Sequence, residues 1–561
     1  MLLRMYLNEK YMSSLKSIFI ILTLATPLFF NAEAIAQNQI QKEVRVVKPY
    51  TPTLSEANKI GLLPVFNDTT RIIPEYGYVI YPKRFETDYK IDPIKPAKMV
   101  GLPIQKLYKT QLSLGAGNYL TPYMELSINQ LRAKTTQLGF YYTHQSSTGK
   151  IKLDNNKKVN ANYNDNLMKL YGKKIFKASV LEADISGGYN SVLYYGYNPA
   201  IDTLLDRKSN MQKILSADAG INFYSMYSDS FHLNYKTALN YEILGDNYKN
   251  TEQAVDFATS LNKRINDQVI GGDLRIRYFG MDGELDSSKY SVVDVNPWYS
   301  KSTEEWKFLV GFNVNFDGNN QKTNFYPRAS FEFNIVPAVL IPYLGVNGYK
   351  EINNYGKILF ENPFLTPGYK VTNSNHSMIV FAGLKGRYSN KMSFNLKGSF
   401  EKIDSLYFFV NDSSEILRNK FITDYDNLSL FSLGGEVSWH QSEKLQFLLK
   451  ANYYKFQLDR LQYAWHKPSF EASLSADYNL RDKILIGTDI FYTGKRYAQG
   501  IASQVNELNG YLDANLSMEY RYTKTLSFFL RFNNLTATKY QIWNQYPSQR
   551  LQFLAGFSYS L

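Results

Sequence analysis

Residues Tyr511–Thr523 read YLDANLSMEYRYT. Leu512, Ala514, Leu516, Met518, Tyr520 and Tyr522 fall on one face, and Asp513, Asn515, Ser517, Glu519 and Arg521 fall on the other. Successive strand side chains point to opposite faces, so this period of two describes a strand with one apolar and one polar side. FHLNYKTALNYEI at Phe231–Ile243 and MSFNLKGSF at Met392–Phe400 repeat it. Between a first segment near Thr110 and a last near Arg550, the pattern recurs in about 22 segments. Many run to about 10–13 residues, longer than the usual soluble strand. A tilted strand needs about 9–11 residues to cross an outer membrane.

The connections carry a second signal. YSDS at Tyr227–Ser230, YSNK at Tyr388–Lys391, HQSEK at His440–Lys444 and LRDK at Leu480–Lys483 are short turns. Long loops alternate with them at Gly348–His376, Asp404–Leu428, Lys495–Leu508 and Thr536–Gln549. Short periplasmic turns alternating with long extracellular loops mark an outer-membrane barrel. A closed sheet also gives every backbone N–H and C=O a partner where no water is present. The expected fold is therefore all-β: a transmembrane antiparallel barrel of about 22 strands over residues 109–561, its apolar face in outer-membrane lipid and its polar face lining the lumen.

Composition agrees. The chain has 561 residues, 63 Lys and Arg against 50 Asp and Glu, 46 Tyr, 35 Phe and no Cys. So many aromatics argue against disorder, and the absence of long apolar runs argues against a helical membrane protein. Without Cys there are no disulfides, thiolate metal sites or lipid-anchored cysteine. The charge of +13 is spread along the chain with no basic tract, which excludes nucleic acid as a partner.

The N-terminus reads as an export signal. Lys16 precedes the apolar stretch Ser17–Phe30, followed by NAEAIAQ. The small residues Ala34 and Ala36 place cleavage between Ala36 and Gln37, so residues 1–36 form a signal peptide. Residues 37–108 hold eight of the 19 prolines, which prevents long helices and central strands. They read as an extended periplasmic segment.

The chain ends on RLQFLAGFSYSL, where Phe553, Phe557, Tyr559 and Leu561 alternate to the last residue. This resembles the terminal strand that the barrel-assembly machinery reads, although the usual final residue is aromatic. NNLTATKYQIWNQYPSQRLQFLAGFSYSL at Asn533–Leu561 resembles the closing hairpin of TonB-dependent outer-membrane receptors of the Bacteroidota. So do ENPFLTPGYKVTNSN at Glu361–Asn375 and the strand DANLSMEYRYTKTLSFFLRFNNL that precedes the hairpin. The resemblance covers residues 109–561 and implies a 22-stranded barrel in the outer membrane of a Gram-negative cell. Receptors of that family carry a folded plug before the barrel, and residues 37–108 are too short and too Pro-rich for one. Lys42–Pro49 includes Glu43, Val44, Arg45, Val46 and Val47. It faintly resembles a TonB-binding box, and the preferred reading is an ordinary extended stretch under the barrel.

No motif points to catalysis or to a cofactor. The five His are scattered without metal-ligand spacing. NDSSE at Asn411–Glu415 and DYDN at Asp424–Asn427 offer oxygens of the kind calcium takes, in loops that are polar in any case. Lys450, Arg275, Arg277, Glu519 and Arg521 are expected on the lumen face. An open lumen of this width would be a wide aqueous hole. Two functions therefore stand: a plugless barrel that scaffolds or forms the channel of an outer-membrane complex with a lipoprotein or periplasmic partner, or a TonB-dependent nutrient transporter.

Overall fold

The computed structural model describes residues 107–561, apart from 132–133, 154–155, 198–209, 228–231, 284–286, 337–338, 416 and 501–503. The signal-peptide junction at Ala36 and Gln37, and Glu43–Val47, lie outside the described residues. A single 22-stranded sheet closes on itself, each strand pairing antiparallel with its neighbour in the chain. The last strand, Gln552–Ser560, returns to the first, Thr110–Gly117, with Phe557 opposite Leu114 and Ser558 opposite Ser113. Lys109 N and Leu561 N complete the seam, 2.6 Å from Leu561 O and 2.8 Å from Thr110 O respectively. Closure leaves no strand edge to meet lipid.

The alternation read in the sequence sorts the two faces. Along the closing strand Phe553, Ala555, Phe557 and Tyr559 face out, while Gln552, Leu554, Gly556, Ser558 and Ser560 are partly covered inside. Inside the seam, Gly115 and Gly556 make room for the Phe529 ring, which would approach a Cβ on Gly556 to 2.4 Å. Phe529 in turn meets Tyr123 edge-on, and the Arg531 guanidinium lies over both rings.

Both chain ends of the barrel lie at the short-turn end. There, turns of a few residues join neighbouring strands; two of them link Ile265 to Gln268 and Leu480 to Ile484. At the second, Arg481 and Asp482 both adopt left-handed backbone without glycine. Asn479 holds this turn by giving its Nδ2 to Asp482 Oδ1 at 2.6 Å and accepting Asp482 N at 2.8 Å.

One loop reading is corrected. Asp404–Leu428, read as a long loop, is mostly strand: Met392–Asn411 and Phe421–Ser442 run 20 and 22 residues, well beyond a bilayer crossing. The reason is that both faces of this hairpin are covered by other loops. Its apolar run Leu406–Val410 therefore lacks the one-sided polarity that marks a wall strand. Gly348–His376, also read as a loop, ends strand Ile341–Glu351, forms a short helix, Tyr355–Glu361, and enters strand Ser374–Ser389.

Candidate functional site

The long-loop end of the barrel is filled by its own chain. Tyr355, Ile358, Leu359, Phe364 and Leu365 of the helix-bearing loop are buried in one cluster with wall and loop residues from around the ring. Ile214, Leu244 and Met281 enter it from one side, and Tyr407, Phe409 and Phe421 from the extended hairpin. Tyr546 joins from the last outer loop and stacks on Phe364 with ring centroids 3.6 Å apart. Because strands so far apart in the sheet order contribute to one cluster, the loop spans the mouth.

A helix of seven residues is too short to persist alone. Its first amides have no side-chain cap from Asn354. The wall supplies one instead. Glu252, at the outer end of strand Thr251–Ile265, accepts Tyr355 N on Oε2 at 2.6 Å, and Gly356 N and Asn354 Nδ2 on Oε1 at 2.9 and 2.7 Å. A carboxylate at a helix start satisfies orphan N–H groups and complements the helix dipole. Glycine suits that position, since a Cβ would lie 3.0 Å from that carboxylate and 3.3 Å from Leu244 and would press both side chains to shift. Further bonds tie the loop down. The Tyr355 hydroxyl donates to Asp246 Oδ2 at 2.8 Å. Thr366 N and Phe421 N exchange backbone bonds with Phe421 O and Phe364 O at 2.7 and 2.9 Å. The Tyr194 hydroxyl lies 3.0 Å from Leu365 O. Burial pushes the Tyr355 and Tyr546 hydroxyls well above the ordinary tyrosine range, so both remain donors.

A second cluster backs the cap. Phe408, Val410, Leu428 and Trp465 pack on the opposite face of the extended hairpin. Between the two clusters sits His466, buried, its Nδ1 3.0 Å from Phe409 O and its Nε2 3.2 Å from Asn544 N. Nδ1 therefore carries the proton and Nε2 accepts. Burial, reinforced by Arg496 and Lys467 and opposed by the Phe409 carbonyl, pulls its pKa from 6.5 down to about 3. A depressed histidine pKa leaves the loops intact above 6.5 and loosens them as pH falls toward 3. Trp543, whose ring centroid lies 5.3 Å from that of His466, reports this. Its emission is expected to shift red on acidification through this window, and to stay flat there in His466→Gln.

Beneath the cap lies a pocket of about 620 Å³ between the helix and the wall, lined by Asp165, Asp218, Glu242, Glu252, Lys357 and Phe360 among others. The lumen residues expected from sequence are paired along the wall. Arg275 meets Asp256, Arg277 meets Asp294 at 2.6 Å, Lys450 meets Glu436 at 3.3 Å and Arg521 meets Glu519 at 3.4 Å. The two oxygen-rich loop stretches are engaged by protein donors. Asp412 accepts Thr366 Oγ1 and Ser414, Asp426 accepts Arg460 N and Leu461 N, and Arg460 pairs with Asp424. Among the described residues no group of His, Asp and Glu has the geometry of a metal site. The residues that build the cap, above all Glu252, Tyr194, Tyr355, His466 and Tyr546, carry no local sequence signal, because their partners lie far away in the chain.

No family model matches the sequence, and no curated protein does. Solved structures do. Fiu, a ferric-catecholate import receptor of Escherichia coli K12, superposes with a TM-score of 0.60 at 10% identity, covering 82% of each chain. FrpB, an iron transporter of Neisseria meningitidis, superposes at 0.62 and 10% identity over 82% of each chain. The copper transporter OprC gives 0.59 at 12% identity, over 81% of this chain and 80% of its own. The barrel fold is shared with TonB-dependent outer-membrane receptors. At these identities the likeness is one of fold. A closed 22-stranded barrel with an apolar outer face is a protein of the Gram-negative outer membrane.

Proposed function

We propose that this chain is the barrel subunit of an outer-membrane complex, exported with cleavage between Ala36 and Gln37, and working with a lipoprotein or periplasmic partner. The observation that carries this reading is the cap. The outer mouth is filled by residues 352–373 of the barrel's own chain, seated on Glu252 and an aromatic cluster, so no separate folded plug is needed on that side. Residues 37–108 stay, on this reading, an extended segment rather than a plug. Extraction in mild detergent followed by mass spectrometry tests it. A stoichiometric lipoprotein or periplasmic subunit, and a barrel starting at Gln37, are expected. A barrel recovered alone and fully active in uptake would refute the reading.

The second reading, TonB-dependent uptake, is favoured by the fold shared with iron and copper transporters. Removing Lys42–Pro49 separates the two. Loss of function with the partner still bound would select the TonB-driven transporter, and retained function the scaffold.

A further inference from the structure

Several lumen bases of the wall are matched by carboxylates on the next strand or the one beyond it. Lys169 pairs with Asp184 and Lys173 with Glu182, both at 2.8 Å, and Lys385 pairs with Glu332 at 2.9 Å. One stretch near the short-turn end departs from this. A groove of about 710 Å³ there is lined by Asn222, Tyr224, Asn234, Lys236, Asn262 and Arg264. By strand alternation these six share the lumen face, opposite the outward Leu233, Leu239 and Leu261. Lys236 and Arg264 are exposed, and among the described residues neither forms an ion pair within 4 Å. Among the described residues the carboxylate that lines the groove is Glu182, which is held by Lys173 and by the Tyr224 hydroxyl at 2.9 Å. Asp267 in the adjoining turn is taken by Lys301 at 3.5 Å.

We infer that this groove receives an acidic, extended polypeptide segment of the partner, entering the barrel from the periplasm; the inference rests on the partner-dependent reading above. Two unmatched cations call for carboxylates. The row of asparagines offers paired donors and acceptors, which suit a peptide backbone rather than an apolar solute. The chain's own residues 37–108 are the poorer match, with 11 Lys and Arg against 7 Asp and Glu.

The test uses the full-length barrel with its complex, and two readouts. Lys236→Glu with Arg264→Glu is compared with Lys524→Glu, a reversal in another turn at the same end of the barrel. The double variant should lose about ten-fold in co-purified subunit while remaining folded by heat-modifiability on gels, and Lys524→Glu should retain it. On the purified barrel, a short labelled peptide alternating Glu and Gly should bind. That binding should weaken as salt rises from about 50 to 300 mM and vanish in the double variant, and the Lys–Gly peptide should not bind. A photo-crosslinker at Asn262 should capture an acidic stretch of the subunit. A subunit that stays bound to the double variant, a lysine peptide that binds equally well, or a cross-link to residues 37–98 of the same chain overturns the inference and leaves the partner-dependent reading standing. Absence of any subunit from the unaltered complex overturns both.

Discussion

Planar bilayers holding the Glu252→Ala variant are expected to show large, long-lived conductance steps that the unaltered barrel lacks. The carboxylate accepts the first two amides of the cap helix and the Asn354 side chain, all across a sequence distance above 100 residues. A hydrogen bond to a charged group contributes about 1.5–3 kcal/mol, and a buried donor left without its acceptor costs about 1–3 kcal/mol. Removal therefore deletes the anchor and strands two N–H groups at the end of a helix too short to hold itself. The cap then has a polar reason to leave the mouth. Glu252→Gln, which keeps the shape and one acceptor oxygen, should give rarer and briefer openings. Bilayers as tight with Glu252→Ala as without it would mean that the aromatic cluster alone holds the cap. In that event Tyr546→Ala, which removes the ring stacked on Phe364, becomes the variant that opens the mouth.

The second large effect belongs to the lipid face. Phe557→Arg places a charge near the middle of the closing strand, on the side that faces out. At the bilayer midplane this costs about 2–4 kcal/mol. Ser558→Arg, one residue on, puts the same group in the lumen, where its cost is the Ser558–Ser113 hydroxyl contact of 2.7 Å at the seam and some crowding. Unfolding from lipid vesicles in urea, or heat-modifiability on gels, compares the two. Phe557→Arg should lose most of its folded band under conditions where Ser558→Arg keeps it. Equal losses would mean that the faces of the closing strand are not sorted as described.

The cap also shows how the loops could be misread. Along Leu406–Val410, Tyr407 and Phe409 enter the cap cluster, while Phe408 and Val410 enter the cluster behind it. Ser405, in left-handed backbone at a break in the strand register, shifts the alternation, so that Ile403 joins the same face as Phe408. A run apolar on both faces, with its phase reset by a bulge, has no period of two to detect. It therefore reads as a loop although it is the tallest hairpin of the barrel.

Most strand positions, their inward and outward faces and the amphipathic character of the last strand were determined by the sequence alone. Each follows from a local periodicity of two that lipid on one side and water on the other impose on every crossing. What fills the mouth was decided only by the tertiary structure. Glu252 meets Tyr355 and Gly356, Tyr194 meets Leu365, and Tyr546 bonds Asn419, each pair more than a hundred residues apart. Such contacts exist because closing the sheet brings distant loops around one space, and the side chains that fit that space are selected by its shape rather than by their neighbours in the chain.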